Sequence, residues 1–169
     1  AQSDQLDGKL VVITGGSGFL GNYVAQALLE RGARVRIASR NPEKAHGLKP
    51  LADLGQLQFA RCDLTNSRSV EAVVHGADAV VNLVGSFDGN LIELMGDASG
   101  RLAHAAKNAG ASSFVHISAI GADAESDAEY AQAKALGETL VFEEFPKATV
   151  LRPSMVFGKD DSFLNLFAG

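Results

Sequence analysis

Three glycines recur at every third residue in Gly15-Gly16-Ser17-Gly18-Phe19-Leu20-Gly21, directly after the apolar run Lys9-Leu10-Val11-Val12-Ile13-Thr14. A turn of this kind can cradle an anion. Gly15 permits a sharp turn out of a strand, Gly18 lets the anion approach the backbone, and Gly21 lets the next helix pack against a sheet. The helix that follows would present free N–H groups and the positive end of its dipole. The amides of Phe19 and Leu20 are the natural donors, and the Ser17 hydroxyl adds another. A glycine-rich corner with no ligand would show the same three glycines, so the motif acquires meaning only from its setting. That setting is a strand before it and a helix after it, at the start of a βαβ pattern. No Lys-Ser/Thr pair follows Gly21, so a nucleoside-triphosphate loop does not fit, and a dinucleotide pyrophosphate does.

The second half of such a site lies at the end of the next strand. A site for NAD usually places Asp or Glu there to hold the ribose 2′-hydroxyl. This chain has Ser39-Arg40-Asn41 instead. Arg40 can stack on adenine and pair with a 2′-phosphate, with Lys44 one helical turn on as an assistant. The expectation is therefore NADP(H), with NAD(H) as the alternative; the plain reading of Arg40 is a solvated charge at a strand end. Asp63-Leu64, after the third strand, could accept from the adenine amino group or could simply form a turn. Asn82-Leu83-Val84-Gly85 ends the fourth strand, where Leu83, Val84 and Gly85 would border the inner ribose.

A second set of residues could perform chemistry beside that cofactor. Ser118 ends the fifth strand, and Tyr130 and Lys134 follow in Tyr-Ala-Gln-Ala-Lys. A spacing of four puts tyrosine and lysine on one helix face. In a hydride transfer, Tyr130 could give a proton to a developing alkoxide. Lys134 would lower the phenol pKa and reach the nicotinamide ribose, and Ser118 would hold the substrate oxygen. A Tyr–Lys pair on an exposed helix is otherwise unremarked, and its position after strand five is what gives it meaning.

The elements needed to position these residues alternate along the chain. Strands are expected at 9–14, 33–39, 57–62, 79–84, 113–118 and 148–152. Helices are expected at 22–31, from Asn41-Pro42, from Asn66 or Ser67 to Val74, from about Leu91 to Asn108, and from Ala128 to Glu143. The strands are rich in apolar β-branched residues, and the fourth is nearly all apolar, as a central strand of a parallel sheet is. Six strands and five crossovers predict an α/β fold, a doubly wound parallel sheet (Rossmann fold) in the order 3-2-1-4-5-6. Residues 1–8 read as a flexible lead-in and 9–169 as one dinucleotide-binding domain without a C-terminal substrate-side region. Phe163, Leu166 and Phe167 would pack on this domain, on a further segment or on a partner.

Composition narrows the field. The chain has 169 residues, 46% of them hydrophobic, and a formal net charge of −5, which gives no general attraction to nucleic acid or anionic lipid. Its one cysteine, Cys62, excludes an internal disulfide. His46, His75, His104 and His116 lack ligand spacing with each other or with Cys62, so no metal site is expected. His116 reads as a satisfied structural histidine, and Cys62 as a buried thiol. No apolar run reaches the roughly 20 residues of a membrane span. The expected location is cytoplasmic, with peripheral attachment to a membrane complex and an organellar matrix as open alternatives.

Together these motifs resemble the short-chain dehydrogenase/reductase superfamily. The spacing Thr14-Gly15-x-x-Gly18-x-x-Gly21 is similar to its extended and atypical, epimerase/dehydratase-like branches, and Ser118, Tyr130 and Lys134 fall at its catalytic positions. A narrower resemblance lies in Leu151-Arg152-Pro153-Ser154-Met155-Val156-Phe157-Gly158 and the following Lys159 to Asn165, with Val81 to Gly85. These are similar to the nucleotide-binding accessory subunit of respiratory complex I and its bacterial relatives. That resemblance implies a tightly held NADPH of structural role, contacts to it from Pro153 and Ser154, and a place on respiratory complex I or another protein partner. Two departures stand out: little chain follows the sixth strand, and the interval from Ser118 to Tyr130 is short. Three readings stay open here. They are a cofactor-holding protein, an active oxidoreductase or epimerase on a sugar-nucleotide or other carbonyl or alcohol substrate, and a sensor of the NADPH/NADP ratio.

Overall fold

The computed structural model describes residues 6–15, 19–40, 56–83, 92–117 and 128–151. Its elements are β1 (Leu10–Thr14), α1 (Phe19–Glu30), β2 (Arg34–Ser39), β3 (Leu57–Arg61), α2 (Ser67–Val74) and β4 (Ala79–Leu83). A π-helical turn (Ile92–Asp97) then runs into α3 (Ala98–Asn108), followed by β5 (Ser113–Ile117), α4 (Ala128–Glu144) and β6 (Thr149–Leu151). The six strands form one sheet in the order β3-β2-β1-β4-β5-β6. Every pairing is parallel, as expected from the strand pattern.

Side chains of successive strand residues point to opposite faces, and that alternation builds two cores. Val11, Ile13, Val35, Ile37, Val81, Leu83, Val115 and Ile117 face α1, which covers them with Val24 and Leu28. Val12, Val80 and Phe114 face the other way, against Val70 and Val73 of α2, Leu102 and Ala106 of α3, and Val141 of α4. Each fully buried Val, Leu, Ile or Phe contributes about 1.5–3 kcal/mol. The continuous apolar strands are thus the main source of stability.

Most element ends fall within a residue of those read in the sequence, and two differences are larger. The first helix begins at Phe19, not Asn22, and so includes Gly21, which is buried. Glycine is a poor helix former, and it stands here at a buried position of the helix's first turn. The stretch after β4 is a π turn before it is an α-helix. Its Met95 carbonyl lies where a side chain on Gly137 of α4 would stand, and Gly96 and Gly100 face Leu136 and Leu140 in the same seam. The helix expected from Asn41-Pro42, and Phe163, Leu166 and Phe167, lie outside the described residues.

Candidate functional site

The carboxyl ends of the strands come to one edge of the sheet. In a doubly wound sheet a ligand binds at this edge where the strand order reverses, here between β1 and β4. Gly15 stands at that point. Its φ is +73°, its amide donates to the Ala38 carbonyl at 3.2 Å, and it rests against the Leu83 carbonyl of β4. Phe19, Leu20 and Gly21 form the first turn of α1. Ser39 is the last residue of β2 and half-buried; Arg40 follows it and is exposed. Leu83 closes β4. The structure thereby brings Gly15, the start of α1, Ser39, Arg40, Asp63, Leu64 and Leu83 to the same edge. Ser17, Gly18, Val84, Gly85, Ser118, Pro153 and Ser154 lie outside the described residues. Tyr130 and Lys134 are both helical within α4, and Lys134 is half-buried.

Asp63 makes a tight local turn. Its Oδ1 accepts from the Thr65 amide at 3.0 Å and from the Thr65 hydroxyl at 2.7 Å. These two bonds, and then the guanidinium charges of Arg40 and Arg101, hold its carboxyl below the usual carboxylate range. Cys62 is buried, and desolvation pushes its thiol pKa up. A buried thiol held protonated is a weak nucleophile.

Beneath the edge runs a row of polar side chains that motif reading did not single out as a unit. Thr14, Asn82 and His116 sit side by side on β1, β4 and β5, paired in register, on the face covered by α3. Thr14 Oγ1 donates to Asn82 Oδ1 at 2.8 Å. Asn82 Nδ2 donates to Ser99 Oγ at 3.0 Å and to His116 Nδ1 at 3.0 Å. All four residues are buried. A polar group in such a place is tolerated only when bonded, and Asn82 uses its carbonyl and both N–H bonds. His116 therefore accepts at Nδ1 and carries its proton on Nε2. The signal was present in the sequence as single polar residues at the ends of otherwise apolar strands. What could not be read was that they share one face and one row.

Burial lowers the His116 pKa from 6.5 to about 4, against a smaller upward pull from the Glu138 carboxylate. The unfolded chain takes up that proton as pH falls through 6.5, whereas the folded chain resists until about 4. Stability must fall with pH across this window. Between pH 7 and 5 the loss from this one group is about 2 kcal/mol. Urea unfolding at the two pH values should show it, and His116→Gln should flatten the dependence. An unchanged slope in that variant would assign it elsewhere.

The arrangement is a glycine turn at a topological switch point, with its strand ends held in register by buried hydrogen bonds. The NAD(P)H-binding family model matches residues 15–162. The chain belongs to that family. It is a nicotinamide-dinucleotide-binding domain. Its relatives include "NADH dehydrogenase [ubiquinone] 1 alpha subcomplex subunit 9, mitochondrial" of Mus musculus, 34% identical over 170 residues, covering 96% of this chain and 45% of that protein. The "NADH-ubiquinone oxidoreductase 40 kDa subunit, mitochondrial" of Neurospora crassa is 33% identical over 171 residues, covering 96% of this chain and 44% of that one. A "Ceramide reductase" of Caulobacter vibrioides is 30% identical over 157 residues, with 90% and 48% covered. The chain thus spans less than half the length of these relatives. A metagenomic short-chain oxidoreductase, solved in complex with NADP, superposes with a TM-score of 0.75 at 24% identity, over 97% of this chain and 90% of that one. The likeness to short-chain dehydrogenase/reductases and to the complex I accessory subunit, first drawn from the motifs, is borne out. Among the described residues no helix is long and apolar enough to cross a membrane, and no group of His, Cys, Asp or Glu could hold a metal.

Proposed function

We propose that this chain holds NADP(H) as a structural cofactor, in the manner of an accessory subunit of a respiratory complex. The observation that carries the choice of NADP(H) is Arg40, exposed at the end of β2. It is a cation at the position where an NAD site would place an acid. Gly15, Gly18, Gly21 and the amides of Phe19 and Leu20, with the Ser17 hydroxyl, would hold the pyrophosphate. Ser39 and Arg40 hold the 2′-phosphate, and Asp63 and Leu64 flank the adenine. Leu83, Val84 and Gly85 would border the inner ribose, Tyr130 and Lys134 would stand by the nicotinamide ribose, and Pro153 and Ser154 would contact the cofactor. Relatives named as subunits of NADH dehydrogenase [ubiquinone] and NADH-ubiquinone oxidoreductase support a protein partner of that kind, with the chain placed peripherally on a membrane complex.

The test is thermal unfolding with and without cofactor. NADPH at 100 times its Kd should stabilise the fold by about 2.7 kcal/mol, a rise in Tm of about 5–10 °C for a chain this size. A flat Tm would sink the reading. A second reading is an active NAD(P)-dependent oxidoreductase or epimerase using Ser118, Tyr130 and Lys134. The four-residue spacing of Tyr130 and Lys134 on α4 favours it, as does a relative named as a reductase. It predicts that Tyr130→Phe abolishes a measurable turnover while leaving NADPH affinity within about twofold. The structural reading predicts no turnover in the wild type.

A further inference from the structure

Resting on the dinucleotide reading above, we infer that Arg101 is a positioning residue for the adenine half of the site, held in place by Glu93. Arg101 lies in the first turn of α3. Its Nη1 donates to the Leu64 carbonyl at 2.7 Å and lies 3.2 Å from Glu93 Oε1. Both side chains of that pair are half-buried, at 27% and 32% exposure.

The β3–α2 corner is otherwise tied mainly by its own residues. The Asp63 amide donates to Ser69 Oγ at 2.9 Å, Thr65 donates twice to Asp63, and the Ser69 amide donates to the Asn66 side chain at 3.1 Å. The corner meets β2 through the Cys62 amide and the Ser39 carbonyl at 3.0 Å. Local bonds of this kind set the shape of a turn but not its place over the sheet edge. Arg101 reaches in from 37 residues along the chain and fixes Leu64 against α3. A charged donor on a carbonyl is a strong hydrogen bond, and the one Nη1 nitrogen serves both the Leu64 carbonyl and the Glu93 carboxylate.

The same guanidinium acts on Asp63 through space. Its charge and that of Arg40 both favour the Asp63 carboxylate. Arg101 thus sets the position of the Asp63–Leu64 corner. It touches no cofactor in this scheme and acts through Asp63 and Leu64. Glu93 stands in the π turn that opens the described stretch after β4, so the pair links the stretches following β3 and β4.

The experiment compares NADPH with its reduced hypoxanthine analogue, which carries a carbonyl where adenine carries the amino group. Binding of each is measured by calorimetric titration of wild type, Arg101→Ala and Arg101→Lys, with Tm recorded for each. Wild type should prefer NADPH, because only adenine donates to Asp63. Arg101→Ala should bind NADPH about five- to tenfold more weakly and bring the preference close to one. Arg101→Lys, which keeps the charge but not the fork, should fall between, and it decides the matter if the alanine variant does not fold. A wild type that binds neither dinucleotide overturns the dinucleotide reading itself. A wild type that binds both equally, or a folded variant whose preference is unchanged, overturns the role of Arg101. Equal losses for both ligands with a lowered Tm would make Arg101 merely structural and overturn it too.

Discussion

Gly15→Ala is expected to destabilise the fold by about 3–5 kcal/mol and to remove measurable dinucleotide binding. Two effects add at this position. The backbone φ of +73° disfavours any residue with a Cβ, at a cost of about 1 kcal/mol. The larger effect is steric. A Cβ on Gly15 would stand 2.1 Å from the Leu83 carbonyl oxygen. That oxygen is backbone, so no rotamer change relieves the clash. β1 and β4 would have to separate where Thr14 bonds Asn82, and the buried row would open with them. Gly110 supplies the control. It has a φ of +84° after α3, and nothing stands within 4 Å of its would-be Cβ. Gly110→Ala should therefore show the backbone cost alone, about 1 kcal/mol. Urea unfolding of the two variants separates the terms. Equal destabilisation would mean that the contact with Leu83 relaxes freely and that the turn is not held by β4.

The sheet was legible because its information is local. Runs such as Leu10 to Ile13 and Ala79 to Val81 are apolar at every turn of the pleat, and the helices between them carry one apolar face. Strand order then follows from the handedness of crossovers. The cap of α2 was readable to within one residue, Asn66 or Ser67, since capping is decided within three residues, and the structure selects Asn66, whose side chain accepts from the Ser69 amide. What escaped was set by partners distant in sequence. The π turn at Ile92–Asp97 packs where Gly137 approaches the Met95 carbonyl, a contact no periodicity announces. His116 was readable as a satisfied histidine, but its partner Asn82 lies 34 residues away, and Asn82 in turn meets Ser99 17 residues on. Arg101 carried no motif at all. At the site, glycines and strand-end residues were recognisable by type, whereas the contacts that hold them in place were not.

Arg40 is where the identity of the cofactor rests, and its reversal is the sharpest test of it. Arg40→Glu should weaken NADPH by about 2–3 kcal/mol, roughly 30- to 150-fold, and shift NADH by only a few-fold. A 2′-phosphate loses a cationic partner and gains an anion, whereas a 2′-hydroxyl gains an acceptor of the kind an NAD site provides. The ratio of the two affinities carries the argument, because a general loosening of the edge would lower both alike. Equal ratios in wild type and variant would remove NADP(H) from the proposal. Because Arg40 is exposed, its contribution should also shrink as salt is added, more for NADPH than for NADH. The variant has a second consequence at Asp63. The Arg40 charge helps keep that carboxyl ionised, and a glutamate there would raise its pKa instead. If Asp63 receives the adenine amino group, binding of both dinucleotides to Arg40→Glu should weaken at a higher pH than in the wild type as the solution is acidified. The 2′-phosphate and the adenine would then be recognised by one coupled set of charges, Arg40 and Asp63, with Arg101 behind them.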